Sequence, residues 1–320
     1  MDKPPSDSTS QPPPPSGEPA QVCDLCGSPS HLVLARRGRH GSRLTTVICN
    51  GCGLVYTNPR ISEKENAEFY HKNYWGDYKD QSVPDEKFFR RRLPKIKPML
   101  TQLKPFLRPG VKVLEVGCSV GALLWSMKKD VGATGQFIGI EAHHGHAQFA
   151  NEQKELDVRA GLLHEVEHKL PPASFDLVVM NHVLEHTTSP TEVFRKLHKL
   201  LKPQGRLVVE VPNIEAPGSR LSHFFHRAHH FSFSPRTLQR LAQTAGFKVR
   251  KIEALDGDLP HTRLFAVFEK PKILETTLPA KFVRDDAVER AAALRSYEKW
   301  YWLTAASLRK KVTHWQRQRA

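Results

Sequence analysis

The alternation of apolar strands with amphipathic helices between residues 109 and 272 constrains the fold more than any other feature of this chain. The strand-like runs are VKVLEV, FIGI, a short stretch around Val158, FDLVVM and RLVVEV. Strands that alternate with helices pair in parallel, with helices on both faces of the sheet. Two last strands, FKVRKIEAL and TRLFAVFEK, follow each other without a helix and are therefore predicted to be antiparallel. The sequence thus predicts an α/β fold that ends in an antiparallel strand pair.

Capping residues mark the helices of this stretch. Ser189 is predicted to cap a helix that has Pro190 at its first position, with Glu192 completing a capping box. The predicted helices are 122–129, 147–154, one from Pro190 that stops at KPQG, and one from Pro235 that ends at Gly246.

Four of the five cysteines form two C-x-x-C pairs, Cys23 with Cys26 and Cys49 with Cys52. A glycine follows each pair and allows a tight turn that points both thiolates at one ion, and two short strands, HLVLARR and LTTVIC, lie between the pairs. This spacing predicts a zinc ribbon with a structural zinc ion, because four thiolates leave no position open for water. So small a module lacks its own core, and the ion should supply about 10–16 kcal/mol of its folding. A redox-active dithiol is the alternative.

These patterns divide the chain into five segments. The first is rich in proline and serine and is predicted to be disordered. A capping box of Ser62 and Glu65 opens the connector, whose later helix should break at Pro94 and Pro98 because proline lacks the amide donor. The segments are a disordered tail (1–20), a zinc ribbon (21–58), a helical connector (59–108), the α/β domain (109–272) and a basic C-terminal helical segment (273–320).

The C-terminal segment is predicted to be helical from Asp285 to Trp315. Its apolar positions include Val288, Ala292 and Trp300, and its far end is basic. Packing of this helix on the α/β domain is the default expectation. Peripheral docking on an anionic membrane surface is the alternative.

The chain carries a formal net charge of +15, most of it outside residues 109–272. This excess suits a nucleic acid, an anionic membrane surface or an acidic substrate as partner, and equally well solubility alone. No apolar run is long enough to span a bilayer, and the N-terminus has no apolar segment of a secretion signal. A cytoplasmic location is therefore expected, and the sequence leaves the oligomeric state open.

The turn after the first α/β strand, Gly117-Cys118-Ser119-Val120-Gly121, matches two motifs. As G-x-S-x-G it would present a hydrolase serine, but that turn belongs deep in a hydrolase sheet and not after the first strand. A nicotinamide dinucleotide site needs G-x-G-x-x-G, and Ser119 stands where the second glycine should be. The better match is E-x-G-x-x-x-G from Glu115 to Gly121. Glu141 ends the next strand, where a carboxylate can accept hydrogen bonds from both hydroxyls of a ribose.

With these motifs, roughly residues 111–269 resemble the class I S-adenosylmethionine-dependent methyltransferases. LEVGCSVG looks like the first motif of that family, GIEA the second, FDLVVMNHVLEH the fourth and LKPQGRLVVEVPN the strand after it. The N-terminal ribbon is similar to that of deoxysugar C-methyltransferases, whose larger C-terminal domain has no counterpart in this sequence, so their substrate is not carried over. The resemblance implies a Rossmann-like methyltransferase sheet, S-adenosylmethionine as cofactor and a small-molecule methyl acceptor, with a sugar or polysaccharide precursor as one candidate.

The resemblance also implies roles for single residues. Gly117 and Gly121 would let the backbone approach the cofactor, Glu115 would place its amino end, and Glu141 would hold its ribose. The adenine is expected near 161–163. The full set of expected cofactor residues is Glu115, Gly117, Cys118, Ser119, Gly121, Glu141, Ala142, Gly161, Leu162, Leu163, Asn181, His182 and Glu185.

A general base is expected in the stretch HFFHRAHHFSFSP, where the family inserts residues over the acceptor pocket. His229 is the first candidate, because histidine titrates near neutrality and can take a proton in step with methyl transfer. His230 and His186 are the alternatives.

Three further interpretations concern other features of the sequence. The run His164-Glu165-Val166-Glu167-His168 fits the H-E-x-x-H motif of zinc proteases, but two prolines end any helix soon after it, so no zinc site is expected there. An RNA methyltransferase that binds RNA through the ribbon and the basic flanks is an alternative, although Asn181 is not followed by the Pro-Pro-aromatic run of many base-methylating enzymes. A scaffold that binds the cofactor without chemistry is another.

Overall fold

The computed structural model describes residues 21–70, 84–256, 261–272 and 287–301, so the predicted tail and the far end of the C-terminal helix lie outside it. In these ranges the strands are β1 (His31–Arg37), β2 (Arg43–Cys49), β3 (Val55–Thr57), β4 (Lys112–Val116), β5 (Gln136–Glu141), β6 (Asp157–Ala160), β7 (Phe175–Asn181), β8 (Leu201–Pro212), β9 (Phe231–Ser232), β10 (Lys248–Leu255) and β11 (Arg263–Glu269). The α-helices are α1 (Glu63–Glu68), α2 (Glu86–Leu103), α3 (Ala122–Val131), α4 (His144–Lys154), α5 (Leu163–Val166), α6 (Pro190–Leu200), α7 (Leu221–Phe224), α8 (Pro235–Thr244) and α9 (Ala287–Trp300).

A seven-stranded sheet in the order β10-β11-β8-β7-β4-β5-β6 forms the centre of the fold. Strands β4 to β8 pair in parallel, whereas β11 is antiparallel to both β8 and β10. The predicted α/β fold with an antiparallel C-terminal pair is therefore confirmed. The chain runs outward from β4 through β5 to β6 and then returns to β7 on the other side of β4. The carboxyl ends of β4, β5 and β7 thus surround the point where the strand order reverses, which is where open α/β sheets bind ligands.

The predicted break at Pro94 and Pro98 was wrong, because α2 runs through both prolines. Both are exposed and lie four residues apart, so the two carbonyls that lose their amide partners lie on one side of the helix, where water can satisfy them. The opposite side holds the helix in place by burying Phe89, Ile96, Met99 and Leu103.

Two local details around α6 also differ from prediction. The Ser189 side chain accepts a hydrogen bond from the Glu192 amide at 3.2 Å, so the predicted cap is present. The Glu192 carboxylate pairs with Arg195 and does not accept from the Ser189 amide, so the capping box is incomplete. Strand β8 begins at Leu201, so the run KPQG lies within it, beside an irregularity in its pairing with β7. The helix itself ends at Leu200, just before KPQG as predicted, and Gln204 keeps a left-handed φ of 63° within the strand.

A second, four-stranded sheet has the order β1-β2-β3-β9. The first two strands match the predicted ribbon strands. Strand β9 comes from the stretch that follows β8, and it pairs with β3 so that Val55 lies opposite Ser232 and Tyr56 opposite Phe231. The N-terminal sheet is therefore completed by a segment that lies about 175 positions later in the chain.

The N-terminal sheet shares its hydrophobic core with the large sheet. Leu25, Val47 and Tyr56 belong to the same buried cluster as Val116 and Ile140. Packing against the large sheet therefore helps to fold this module, beside any contribution from a bound ion.

Helix α9 packs on β1 and α7, and Val288, one of its apolar positions, lies outside the packed face. Val288 is 68% exposed, whereas Ala287, Ala291 and Leu294 are buried, at positions that share one helical face. The Glu298 carboxylate accepts hydrogen bonds from the Leu221 amide and from the Ser222 hydroxyl. In the described part of the chain, no helix is long and apolar enough to cross a membrane.

Candidate functional site

A cavity of about 500 Å³ opens at the carboxyl ends of β4, β5 and β7, a volume typical of small-molecule sites. It brings most of the predicted site residues together. Those that line it are Gly117, Ser119, Glu141, Ala142, Gly161, Leu162, Leu163, Asn181, His182, Glu185, His186 and His229. Arg39, Glu63, Asn66 and Tyr70 from the N-terminal part of the chain line it as well.

The glycine turn between β4 and α3 depends on three left-handed residues. Gly117 and Gly121 have φ values of 74° and 75°, and Ser119 has 51°. A β-carbon on Gly117 would come within 2.4 Å of Val183, and one on Gly121 within 2.4 Å of Leu156. Both glycines are thus required by the backbone conformation and by close packing, whatever ligand the turn faces.

Glu141 is held in a fixed orientation at the end of β5. One carboxylate oxygen accepts from the Ser119 amide at 2.7 Å, and the other accepts from the His143 amide at 2.9 Å. The Ser119 hydroxyl lies 3.2 Å from Nδ1 of His146, which fixes the turn further. These bonds tie the acid that ends β5 to the turn that ends β4, so both face the cavity together.

Glu115 and Cys118 line a smaller recess of about 30 Å³, which shares Gly117, Ser119 and Asn181 with the main cavity. Glu115 is buried, and its Oε2 atom has no hydrogen-bond partner among the described residues. Burial raises the pKa of Glu115 well above its usual value, and the nearby Glu141 carboxylate adds to the effect. A cationic group placed beside Glu115 would restore its negative charge.

Glu115→Gln should stabilise the ligand-free protein at neutral pH. The folded-state pKa of Glu115 lies above its unfolded-state value, so the stability present at low pH is lost as the pH rises through the folded-state pKa. A neutral amide removes this loss, and we expect a gain of about 1–3 kcal/mol in the free energy of unfolding at pH 7.5. Chemical denaturation at pH 5 and pH 7.5 measures it, with exposed Glu68→Gln as control. Equal stability of Glu115→Gln and the parent at pH 7.5 would contradict the assignment.

His182 lies between two buried carboxylates. Its Nδ1 is 3.3 Å from Glu185 and its Nε2 is 3.3 Å from Glu210, which Arg263 also contacts at 2.8 Å. Desolvation alone would lower the pKa of His182, but the two carboxylates outweigh it and raise the pKa to about 9. His182 therefore faces the cavity as an imidazolium at neutral pH and is unsuited to act as a base there.

Two other histidines, His186 and His229, also line the cavity. The ring centroids of His186 and His229 are 4.8 Å apart, and those of His229 and His226 are 3.7 Å apart. Nδ1 of His186 lies 2.7 Å from the Ala228 carbonyl oxygen and therefore carries the proton that it donates there. Desolvation lowers the pKa of His229 well below its usual value, and the neighbouring His186 and His226 add to this. His229 is therefore neutral at physiological pH.

His230, a predicted alternative base, is not among the residues that line the cavity. Its ring is buried, and Nε2 lies 3.0 Å from the Asn66 side-chain oxygen. Burial lowers the pKa of His230 to about 3. Its backbone amide donates to the Glu185 carbonyl at 2.8 Å. This position suits a structural link between two segments of the cavity wall.

Two groups of side chains among the described residues could hold a metal ion. In the first, Sγ of Cys23 lies 3.5 Å from that of Cys52, and Sγ of Cys26 lies 3.5 Å from that of Cys49. Zn–S bonds of 2.3 Å place the sulfurs of a tetrahedral site roughly 3.8 Å apart, so the four thiols fit zinc. The second group is Glu185, His186 and His229. His164 and His168 belong to neither, and the helix that carries His164 is a single turn that ends at Val166.

Sequence reasoning missed several residues of the cavity wall. Arg39 and Asn66 come from the N-terminal part of the chain, and no local pattern places them near β7. His226 had a signal, since it lies three residues before His229 in the histidine-rich stretch. The pairing of Glu210 with His182 had no sequence signal, because Glu210 is a single acid within the apolar run LVVEV of β8.

The family described as "Methyltransferase domain" matches residues 88–252, just over half of the chain. An uncharacterized 37.1 kDa protein in transposon TN4556 of Streptomyces fradiae is 28% identical over 156 residues, which cover 44% of this chain and 45% of that protein. A mitochondrial ubiquinone biosynthesis O-methyltransferase of Schizosaccharomyces pombe is 33% identical over 31% of this chain and 37% of its own length. A solved S-adenosylmethionine-dependent methyltransferase structure from Archaeoglobus fulgidus shares 20% identity at a TM-score of 0.47 and covers 58% of this chain and all of that chain. The chain spans half or less of the length of the curated relatives that it matches first.

Proposed function

Since the chain belongs to the methyltransferase-domain family, we propose that it transfers a methyl group from S-adenosylmethionine to a small-molecule acceptor. The observation that carries the proposal is the shared cavity. The glycine turn and Glu141 line it, and so do His186 and His229. A cofactor half and an acceptor half within one enclosure suit a reaction whose main requirement is close and oriented reactants.

In this proposal, S-adenosylmethionine supplies an electrophilic methyl group on a sulfonium. Glu141, already oriented by two backbone amides, accepts hydrogen bonds from the ribose hydroxyls. Glu115, a buried acid with a partnerless oxygen, balances the charge of the amino end. Residues 161–163 cover the adenine. Asn181 and His182 line the wall between the two halves.

The acceptor half favours removal of a proton from a hydroxyl or a carbon acid. His229 is the proposed base, because it is neutral at physiological pH and lines the cavity, whereas His182 is protonated. His186 is the second candidate. Relatives named as ubiquinone, demethylmenaquinone and phosphoethanolamine methyltransferases support a small-molecule acceptor. We further propose that Cys23, Cys26, Cys49 and Cys52 hold one structural zinc ion.

Glu141→Ala should weaken binding of S-adenosylhomocysteine, the demethylated product of the cofactor. Loss of an ionic acceptor for two ribose hydroxyls should cost about 1.5–3 kcal/mol, or a 10- to 150-fold rise in Kd. Isothermal titration calorimetry on the full chain measures it, with exposed Glu152→Ala on neighbouring α4 as the control. Unchanged affinity in Glu141→Ala would refute the ribose assignment, and absence of binding to the parent protein would refute the proposed cofactor.

A further inference from the structure

The four-cysteine module, residues 21–58, contacts both segments that carry the histidines of the acceptor half. One segment, residues 184–191, follows β7 and contains His186. The other, residues 226–232, contains His229 and ends in β9. Neither segment belongs to the seven-stranded sheet, so the position of both depends on what holds them from outside.

The first contact is made by Asp24, which lies between Cys23 and Cys26. One Asp24 carboxylate oxygen accepts from the Ser189 hydroxyl at 2.6 Å, and the other accepts from the Thr191 amide at 2.9 Å. The Asp24 carbonyl oxygen also accepts from the Thr191 hydroxyl at 3.1 Å. Amides at a helix N-terminus lack partners within the helix, so the knuckle of the first cysteine pair caps α6 from outside.

The second contact is strand pairing. Strand β3 follows the second cysteine pair and pairs with β9, while the Thr57 amide donates to the His230 carbonyl at 2.9 Å. The second histidine segment therefore ends in an edge strand of the N-terminal sheet.

The two histidine segments also bind each other. The His230 amide donates to the Glu185 carbonyl at 2.8 Å, and His186 Nδ1 donates to the Ala228 carbonyl at 2.7 Å. A shift of residues 184–191 would therefore strain two hydrogen bonds that join His186 to the neighbourhood of His229.

From these contacts we infer that Asp24 is a positioning residue that sets the place of His186 relative to His229 through the loop that begins α6. The four-cysteine module then does more than fold the N-terminus, since it builds one wall of the acceptor half. The inference rests on the proposed function only for the role of the two histidines. It predicts that the module controls the acceptor half and leaves the cofactor half unchanged.

The test uses Asp24→Ala in the full chain, followed by amide hydrogen exchange and histidine ring signals in NMR. A purely local cap would change exchange only at Thr191 and its helix neighbours. A positioning role should speed exchange of the His186 and His230 amides at least 10-fold and move the ring signals of His186. Affinity for S-adenosylhomocysteine should stay within twofold, and the zinc content should equal that of the parent.

Asn50→Ala is the matched control, because Asn50 holds the equivalent place in the second cysteine pair. Its side chain bonds Ser30 at 2.7 Å, within the module itself. It should leave the His186 and His230 amides unchanged. Asp24→Asn, which keeps one oxygen acceptor, should fall between parent and alanine variant, and it serves as the test variant if Asp24→Ala does not fold.

The inference is overturned if the His186 and His230 amides exchange at the parent rate in folded Asp24→Ala. It is also overturned if their exchange rises equally in Asn50→Ala. Failure of the parent to bind S-adenosylhomocysteine overturns the proposed function instead, because the exchange measurement needs no ligand. The two failures are therefore distinguishable.

Discussion

Cys49→Ser is expected to abolish zinc binding at the proposed four-cysteine site and to unfold the N-terminal sheet. Elemental analysis should fall from about one ion per chain in the parent to near none, because three thiolates and a serine hydroxyl hold zinc poorly. Zinc sites of this type contribute about 10–16 kcal/mol of apparent folding free energy. Since the sheet shares its core with the large sheet, a large drop in the melting temperature should accompany the loss.

His164→Ala and His168→Ala are the controls for Cys49→Ser and should keep their zinc. If they lose it, the H-E-x-x-H run is a metal site after all. Because Cys49→Ser can fail to fold, titration of the native parent with a chelator gives the same information. Release of zinc should then parallel loss of protection in β1, β2 and β3.

His229→Ala should lower turnover about 100-fold or more once an acceptor is known, while affinity for S-adenosylhomocysteine stays unchanged. The imidazole lines the acceptor half beside His186 and is neutral, so it can take the acceptor proton. Steady-state kinetics with saturating cofactor measures the change. The matched control is His168→Ala, which removes a histidine that lies outside both ligand groups.

The pH profile gives a second readout for the same variant. The pKa of His229 is lowered well below its usual value, so the base stays neutral and turnover stays flat through the pH range in which an ordinary histidine becomes protonated. The loss of rate at more acidic pH should disappear in His229→Ala. A variant that keeps most of its turnover and the acid limb of the parent would remove His229 from the mechanism and leave His186 as the candidate.

Much of the site was predictable from sequence because its signals are local. The left-handed turn at Gly117 and Gly121 follows from glycine spacing after a strand, and Glu141 follows from its place at the end of the next strand. Both lie at the carboxyl ends of neighbouring parallel strands, so the fold class alone brings them together. The two cysteine pairs likewise carry their geometry in their spacing, and their sulfurs do meet.

The errors arose where tertiary packing outweighs local preference. Two prolines predict a broken helix, but α2 keeps them on its exposed side and is held by its buried one. The larger apolar side chain of Val288 stays exposed on α9, whereas the small Ala287 and Ala291 are the buried ones.

The sequence by itself determined the α/β order, the glycine turn, the acid that ends β5 and the two cysteine pairs, since each follows from patterns of neighbouring residues. Only the tertiary structure decided that β9 completes the N-terminal sheet, that Asp24 caps α6 and that Arg39 and Asn66 line the cavity. Asp24 is 165 and 167 positions from Ser189 and Thr191, the residues that its side chain contacts. Such contacts depend on how two sheets dock, and docking is set by the burial of the whole apolar surface, which no local pattern records.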